Sequence, residues 1–392
     1  MSKRKRIGIL TGGGDVPGLN SVIKSVVYSC TESGRAYEVI GIRRGWEGLT
    51  HLRLRRGVDA EYIVPLDRHN TRTIDRTGGT WLHTSRTNPC KIPGDRLPDH
   101  VQARLGPCRE TGGKFDLTPL VLENLQALGL DFLVAIGGDD TLSYAAVLHD
   151  AGFPIVAVPK TMDNDVRNTE YCIGFSTAMT RALESINRLR STVGSHERTG
   201  ALRIFGRNAG FTALYAAYVT SLRCCIPECP FDLEALIDLL VEDKRNNPSR
   251  YAMVLFSEGA TWHGRQVEEY GEPDQFGNRK KVNIAEQFAT AFEKKTRGGT
   301  LAADLTYELR SGEPDFLDKL VSTSFATMAC ECIFSNTTGR MTALRKGCFT
   351  ITDIPDPARG PRRVDVATMY NPLRFRPQYT SKNKLPLFML RA

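Results

Sequence analysis

The chain has 392 residues, 41% hydrophobic and 24% charged, a balance that fits a globular protein with room for two domains. No apolar run approaches the ~18 residues that a membrane span needs, and the basic start Met1-Ser2-Lys3-Arg4-Lys5-Arg6 runs into a glycine turn too soon to be a signal peptide. The formal net charge of +8 suits anionic metabolites better than nucleic acid, because the arginines stand beside glycine turns and not in one stripe with interleaved aromatics.

Along the chain, Ile7–Leu10 predicts a strand, Thr11 to Gly18 a turn, and Asn20–Thr31 a helix with Val22, Ile23, Val26 and Val27 on its apolar face. Val39–Ile42 predicts the next strand. Asn88–Lys114 is rich in proline and glycine and reads as a long polar excursion, either a lid or an interface arm. Leu117–Leu128 predicts a helix, Asp131–Ile136 a buried strand, Thr141–His149 a helix and Phe153–Val158 a second buried strand. Ser176–Leu189 predicts a long helix, and the strands Ala201–Phe205 and Ala252–Phe256 belong to a second α/β set. This alternation predicts two doubly wound α/β domains. The tail from Thr350, rich in proline and arginine, reads as extended chain on the surface or at a sheet edge. The ten cysteines form no Cys-x-x-Cys and lack histidines at zinc spacing, so they read as reduced thiols of a cytoplasmic protein.

Two strand ends carry unusual charge. Gly137-Gly138-Asp139-Asp140 follows one, and Pro159-Lys160-Thr161-Met162-Asp163-Asn164-Asp165 follows the next. Ligands of open parallel sheets bind at the carboxyl ends of strands. Carboxylates, a lysine and a glycine turn meeting there suit a site where Mg2+ screens phosphates and a carboxylate removes a hydroxyl proton. Asp139 is the candidate Mg2+ ligand, with helix capping as the plain alternative for one aspartate of the pair. Asp163 is the candidate general base. Lys160 can neutralise a leaving group or simply form an ion pair, Thr161 can bond a phosphate or a sugar, and Asn164 and Asp165 hold the turn. Gly12 to Gly18 can bring backbone N–H groups to a phosphate, though a tight turn without ligand explains it equally. Arg86, Arg198, Arg207 and Arg310 are candidate phosphate forks or ordinary ion-paired arginines, and Glu258 can bond a sugar hydroxyl.

In this order the motifs resemble the 6-phosphofructokinase family from Ile7 to about Gly347. The resemblance rests on Gly13-Gly14-Asp15-Val16-Pro17-Gly18-Leu19-Asn20, on Gly78-Gly79-Thr80 running to Arg86, and on Thr161-Met162-Asp163-Asn164-Asp165. It extends to Ser195-His196-Glu197-Arg198, Phe205-Gly206-Arg207, Glu258 and Tyr307-Glu308-Leu309-Arg310. It implies a phosphoryl transfer to fructose 6-phosphate in a cleft between two domains, with Mg2+ as cofactor. The implied donor side spans residues 1–174 with about 313–349, and the sugar-phosphate side about 175–312 with 350–392. Thr161, Met162, Asp163, Arg198, Phe205, Gly206, Arg207, Glu258, Tyr307, Glu308, Leu309 and Arg310 would meet the sugar phosphate, and Gly13, Arg86 and Lys160 the donor. Asp140 and Lys160 form the pair found in pyrophosphate-using members, so pyrophosphate is the expected donor. ATP, or another sugar such as sedoheptulose 7-phosphate, is the alternative. Arg198 would serve a neighbouring subunit in a homodimer or homotetramer. A second cross-subunit arginine of the family falls on Leu301, with Arg297 as its possible replacement, and His83 stands where many relatives have glycine.

Overall fold

The computed structural model describes residues 4–34, 37–54, 59–265, 269–272 and 279–378. Eleven strands in two sheets organise the site. They are β1 (Lys5–Thr11), β2 (Tyr37–Ile42), β3 (Ile63–Leu66), β4 (Phe132–Gly137), β5 (Ile155–Pro159), β6 (Thr199–Ile204), β7 (Arg223–Cys225), β8 (Ala252–Ser257), β9 (Thr300–Leu305), β10 (Arg340–Arg345) and β11 (Cys348–Asp353). The large sheet has the order β11-β10-β5-β4-β1-β2-β3, and the small sheet β7-β8-β6-β9. The small sheet is wholly parallel, and the large one is parallel except at its edge strands β3 and β11.

Both faces of the large sheet are buried, which is why its strands read as continuous apolar runs. Phe132, Val134 and Ile136 point into a core shared with helix α1 (Leu19–Glu32) and the late helix Phe316–Phe334. Leu133 and Ala135 point the other way, towards α2 (Thr118–Ala127) and α3 (Asp139–Asp150). The small sheet is sandwiched likewise. On one side lie α4 (Phe175–Ser195) and α5 (Phe211–Thr220). On the other lie α6 (Leu233–Asn246) and α7 (Ile284–Thr296), which bring Leu236, Phe288 and Phe292. The late helix Phe316–Phe334 is α8.

Two expectations need revision. The Asn88–Lys114 excursion is no open lid. It builds a three-stranded sheet of Ile92–Pro93, Arg109–Thr111 and Lys114–Asp116 over a core of Ile92, Leu97, Val101, Leu117 and Leu120. The expected boundary at residue 350 falls inside β11, whose ladder with β10 carries the large sheet on to Asp353. Beyond it the chain crosses to the small sheet. There Phe375 enters the core, Tyr370 Oη donates to the Cys224 carbonyl at 2.7 Å, and Arg223 donates to the Arg374 carbonyl at 2.6 Å. Residues 379–392, part of the expected sugar-side segment, lie outside the described residues. No described helix is long and apolar enough to cross a membrane.

Candidate active site

Residues that follow the carboxyl ends of strands in the two sheets come together, and the space they frame is the candidate crevice. From β1 comes the Gly12–Gly18 turn, and from the chain after β9 comes Arg310. A Cβ on Gly14 would lie 3.1 Å from Arg310 Nη1, so glycine is what lets the arginine lie across the turn. Arg310 Nε also donates to Met162 Sδ at 3.3 Å, and its guanidinium lies over the Phe205 ring at 4.6 Å and the Tyr307 ring at 5.4 Å. One side chain thus joins four of the expected segments.

Lys160 is 2% exposed, and its ammonium donates to the Gly14 carbonyl at 2.6 Å. Burial, then the nearby Arg310, then Arg86 push its pKa down to about 7, against the pull of Asp15. Gly13 has φ 79, and a Cβ there would sit 3.3 Å from Lys160 Nζ. The Gly13 amide donates to the Ser85 carbonyl at 2.9 Å, and the Gly13 carbonyl accepts from Thr84 Oγ1 at 2.7 Å. Gly13 therefore contributes room for the lysine, and its own N–H is not open to a phosphate. The stretch from His83 (φ 56) to Arg86 that supplies these bonds brings Arg86 close enough to act on Lys160. Upstream, Asn20 pins the preceding loop, accepting from the Trp81 amide at 2.7 Å and donating to the Gly78 carbonyl at 3.3 Å. Gly78 abuts the backbone of Gly312, just after Arg310.

Helix capping does not explain the aspartate pair. Gly138 is the N-cap, and Asp139 and Asp140 are the first two helical residues, where the helix N-terminus favours negative charge. Burial, with Asp165 and Asp140 adding repulsion, pushes the Asp139 carboxyl up to about 7. Asp140 is exposed.

Asp163 lies in the turn that follows β5. Its Oδ1 is buried with no hydrogen-bond partner among the described residues, and its amide donates to Thr161 Oγ1 at 3.2 Å. Burial, reinforced by Asp165 and Glu258, raises its proton affinity. A buried acceptor without a donor is uncommon. Asp165, read from sequence as a turn residue only, is a third inward carboxyl whose charge bears on both Asp139 and Asp163. Asn164 between them has φ 55, a left-handed conformation that asparagine tolerates better than most residues.

On the small-sheet side, Glu258 follows β8, and its carboxylate lies 3.4 Å from exposed Arg207 after β6. A Cβ on Gly259 would collide with the Arg207 carbonyl, which holds these two ends together. Tyr307 is 73% exposed beside Phe205. The Glu308 carboxylate accepts from the Thr306 amide at 3.1 Å. Leu309 is fully buried, so only its main chain could meet a ligand.

Arg198 is not brought to this crevice. It precedes β6, at the end of that strand opposite Arg207, and exposed Arg297 lies at the same edge. Leu301 packs against the core, so its side chain replaces no arginine.

A sequence model of the family described as "Phosphofructokinase" matches residues 6–333. The chain belongs to the phosphofructokinase family. It is 34% identical over 353 residues to ATP-dependent 6-phosphofructokinase 3 of Streptomyces coelicolor, covering 90% of this chain and 94% of that protein. It is 35% identical over 344 residues to pyrophosphate–fructose 6-phosphate 1-phosphotransferase of Amycolatopsis methanolica, covering 87% and 90%. The pyrophosphate-dependent phosphofructokinase structure from Marinobacter aquaeolei superposes with a TM-score of 0.76 at 15% identity, over 98% of this chain and 91% of that one. The two chains thus share one fold. The named donors of the Streptomyces and Amycolatopsis relatives differ, at 34% and 35% identity.

Two contributors escaped the sequence reading. Asp15 acts on Lys160, and Arg362 reaches the Asp163 turn from the tail. Asp15 lies within the glycine motif and could have been nominated from it. Arg362 carried no local signal.

Proposed function

We propose that the protein transfers a phosphoryl group from pyrophosphate to the 1-hydroxyl of fructose 6-phosphate, yielding fructose 1,6-bisphosphate and phosphate. The observation that carries the donor assignment is Lys160, buried under the Gly13–Gly14 turn, with exposed Asp140 opening the helix that follows the neighbouring strand. A carboxylate at that position would fill and repel the place where a nucleotide's further phosphate would enter. A buried ammonium stabilises charge on a small donor that brings no nucleotide contacts of its own.

Asp163, with an unpartnered carboxylate oxygen and raised proton affinity, would accept the proton of the attacking hydroxyl. Arg207, Glu258 and Arg310 would orient the sugar phosphate, framed by Phe205, Gly206 and Tyr307. Thr161, Met162, Glu308 and Leu309 would line it, the last through its main chain. Arg86 would steady the donor. The acidic residues fit Mg2+, because Asp139 feels two further carboxylates. Among the described residues no three metal-binding side chains close a cage, so the fit is to a cation that keeps phosphate and water ligands. Asp139 would hold that ion, and when bound it would neutralise charge on the donor oxygens. The chain's own contribution is positioning and charge stabilisation, which is what this class of transition state requires. Because phosphate is the leaving group, the reaction is expected to run in both directions. Arg198, at the far edge of the small sheet, would complete a neighbouring crevice in a cytoplasmic homodimer or homotetramer.

Initial rates on fructose 6-phosphate with pyrophosphate and with ATP, both with Mg2+, test the donor, and a parallel series with sedoheptulose 7-phosphate tests the sugar. The expected result is a higher kcat/KM with pyrophosphate and fructose 6-phosphate. A higher kcat/KM with ATP would overturn the reading of Asp140.

A further inference from the structure

Between β11 and Tyr370 the chain crosses from the large sheet to the small one and passes over the turn that carries Asp163. Asn168 Nδ2 donates to the Asp353 carbonyl at 3.1 Å, and Arg167 Nε donates to the Gly360 carbonyl at 2.8 Å. The Arg362 amide donates to the Asp165 carbonyl at 2.6 Å. The Arg362 guanidinium donates to the Asn164 carbonyl at 2.5 Å and to the Glu170 carbonyl at 3.4 Å, and lies over the Phe211 ring at the start of α5, 4.3 Å from its centroid. Two residues on, the Val364 amide donates to Glu228, whose carboxylate also accepts from the Gly210 amide before α5. The crossing is therefore bonded at once to the turn on the large sheet and to the first residues of a helix on the small one.

The turn needs such support. Asn164 sits at φ 55 directly after Asp163, a conformation that persists in a non-glycine residue when its surroundings over-determine it. Its side chain is engaged on both sides, donating to the Glu170 carbonyl at 3.1 Å and accepting from the Cys172 amide at 2.9 Å. Its main-chain carbonyl is held by Arg362.

We propose that Arg362 is a positioning residue, clamping the Asp163–Asn164–Asp165 turn so that the Asp163 carboxylate stays aimed into the crevice, and tying that aim to the placement of α5 on the sugar side. This rests on the reading of Asp163 as the base. The planar fork matters as much as the charge, since it bridges two carbonyls while stacking on a ring.

Arg362→Met keeps the length and removes the fork. With the donor that the wild-type enzyme uses best, it is expected to lower kcat roughly 10- to 100-fold, the scale of a misplaced reacting group, with KM for fructose 6-phosphate within about threefold of wild type. Hydrogen exchange of the backbone amides in 161–170 is expected to quicken. Arg362→Lys, which retains charge and one donor, is expected to fall between the two in both readouts. Wild-type kcat in Arg362→Met, a loss confined to KM, or unchanged exchange in 161–170 would overturn the proposal. If the Met variant does not fold, the Lys variant decides, and unchanged kcat and exchange in it would overturn the proposal equally. A wild-type enzyme inactive on fructose 6-phosphate would sink the functional reading, while the exchange comparison would still decide this one.

Discussion

The two walls of the crevice hold their charges in different ways. On the large-sheet wall, Lys160 is almost wholly buried and Asp163 has a buried, unpartnered carboxylate oxygen, with the Gly14 carbonyl holding the ammonium and the Thr161 hydroxyl accepting from the Asp163 amide. On the small-sheet wall, Arg207 is exposed, its contact with Glu258 is long, and Tyr307 stands in solvent. Charges fixed in a dry environment stabilise developing charge without having to reorganise. Exposed charges exchange water for a ligand's phosphate and contribute mainly to affinity. Under the proposed function, this division would give the chemistry to one wall and recognition to the other.

Asp163→Asn should give the largest effect. It keeps shape but cannot accept the proton, and kcat should fall roughly 100-fold or more with little change in KM. A near-normal kcat in a coupled assay would place the base elsewhere and break the comparison at its deepest point. Lys160→Met comes next, raising the barrier with pyrophosphate by about 2–4 kcal/mol. The pH dependence sharpens this test. The free enzyme's Lys160, held down to about 7 by burial, is charged below that pH and neutral above it. The wild-type kcat/KM for pyrophosphate should therefore carry a limb that falls as pH rises through about 7, set against the rise expected as the Asp139 and Asp163 carboxyls ionise, and Lys160→Met should lose the falling limb while keeping the rising one. A falling limb that persists in the variant would belong to another group.

Arg207→Ala probes the recognition wall. Losing a charge-assisted bond to phosphate should raise KM for fructose 6-phosphate roughly 10-fold or more while kcat holds within a few-fold. A kcat loss as large as that of Lys160→Met would erase the distinction between the walls. The smallest effect is expected from Asp140→Gly, which should admit a trace of ATP turnover and leave most pyrophosphate turnover intact. Complete exclusion of ATP in that variant would move the block to the neighbourhood of Gly13 and His83.

Much of the first wall was legible in the sequence, because its signals are local. A short apolar run ending in glycine and aspartate announces a strand end, and the strands after Asp131 and Phe153 lie where that pattern puts them. What escaped depends on distant chain. Arg362 meets Asn164 across 198 residues of separation, and no periodicity announces such a bond. The excursion after Asn88 concealed a small core because its apolar residues are spaced among prolines and charges. Asp165 looked like a turn former because the turn does need one, and only burial showed that its charge also falls on Asp139 and Asp163. Leu309 sat inside a motif of ligand-facing residues, yet a single 3-10 turn rotates it into the core.

Where Gly78 abuts Gly312, the loop of one wall touches the link leaving the other through main chain alone. A Cβ on Gly78 would lie 2.3 Å from the Gly312 carbonyl oxygen, whereas one on Gly79 would meet nothing within 4 Å. A side chain can yield to a neighbour by changing rotamer, but two backbones cannot. The gap is thus gauged by a spacer with no adjustable part, and any residue larger than glycine at position 78 would act as a wedge. Substitutions elsewhere on either wall can then alter charge and selectivity over evolutionary time while the spacing between the walls stays the same.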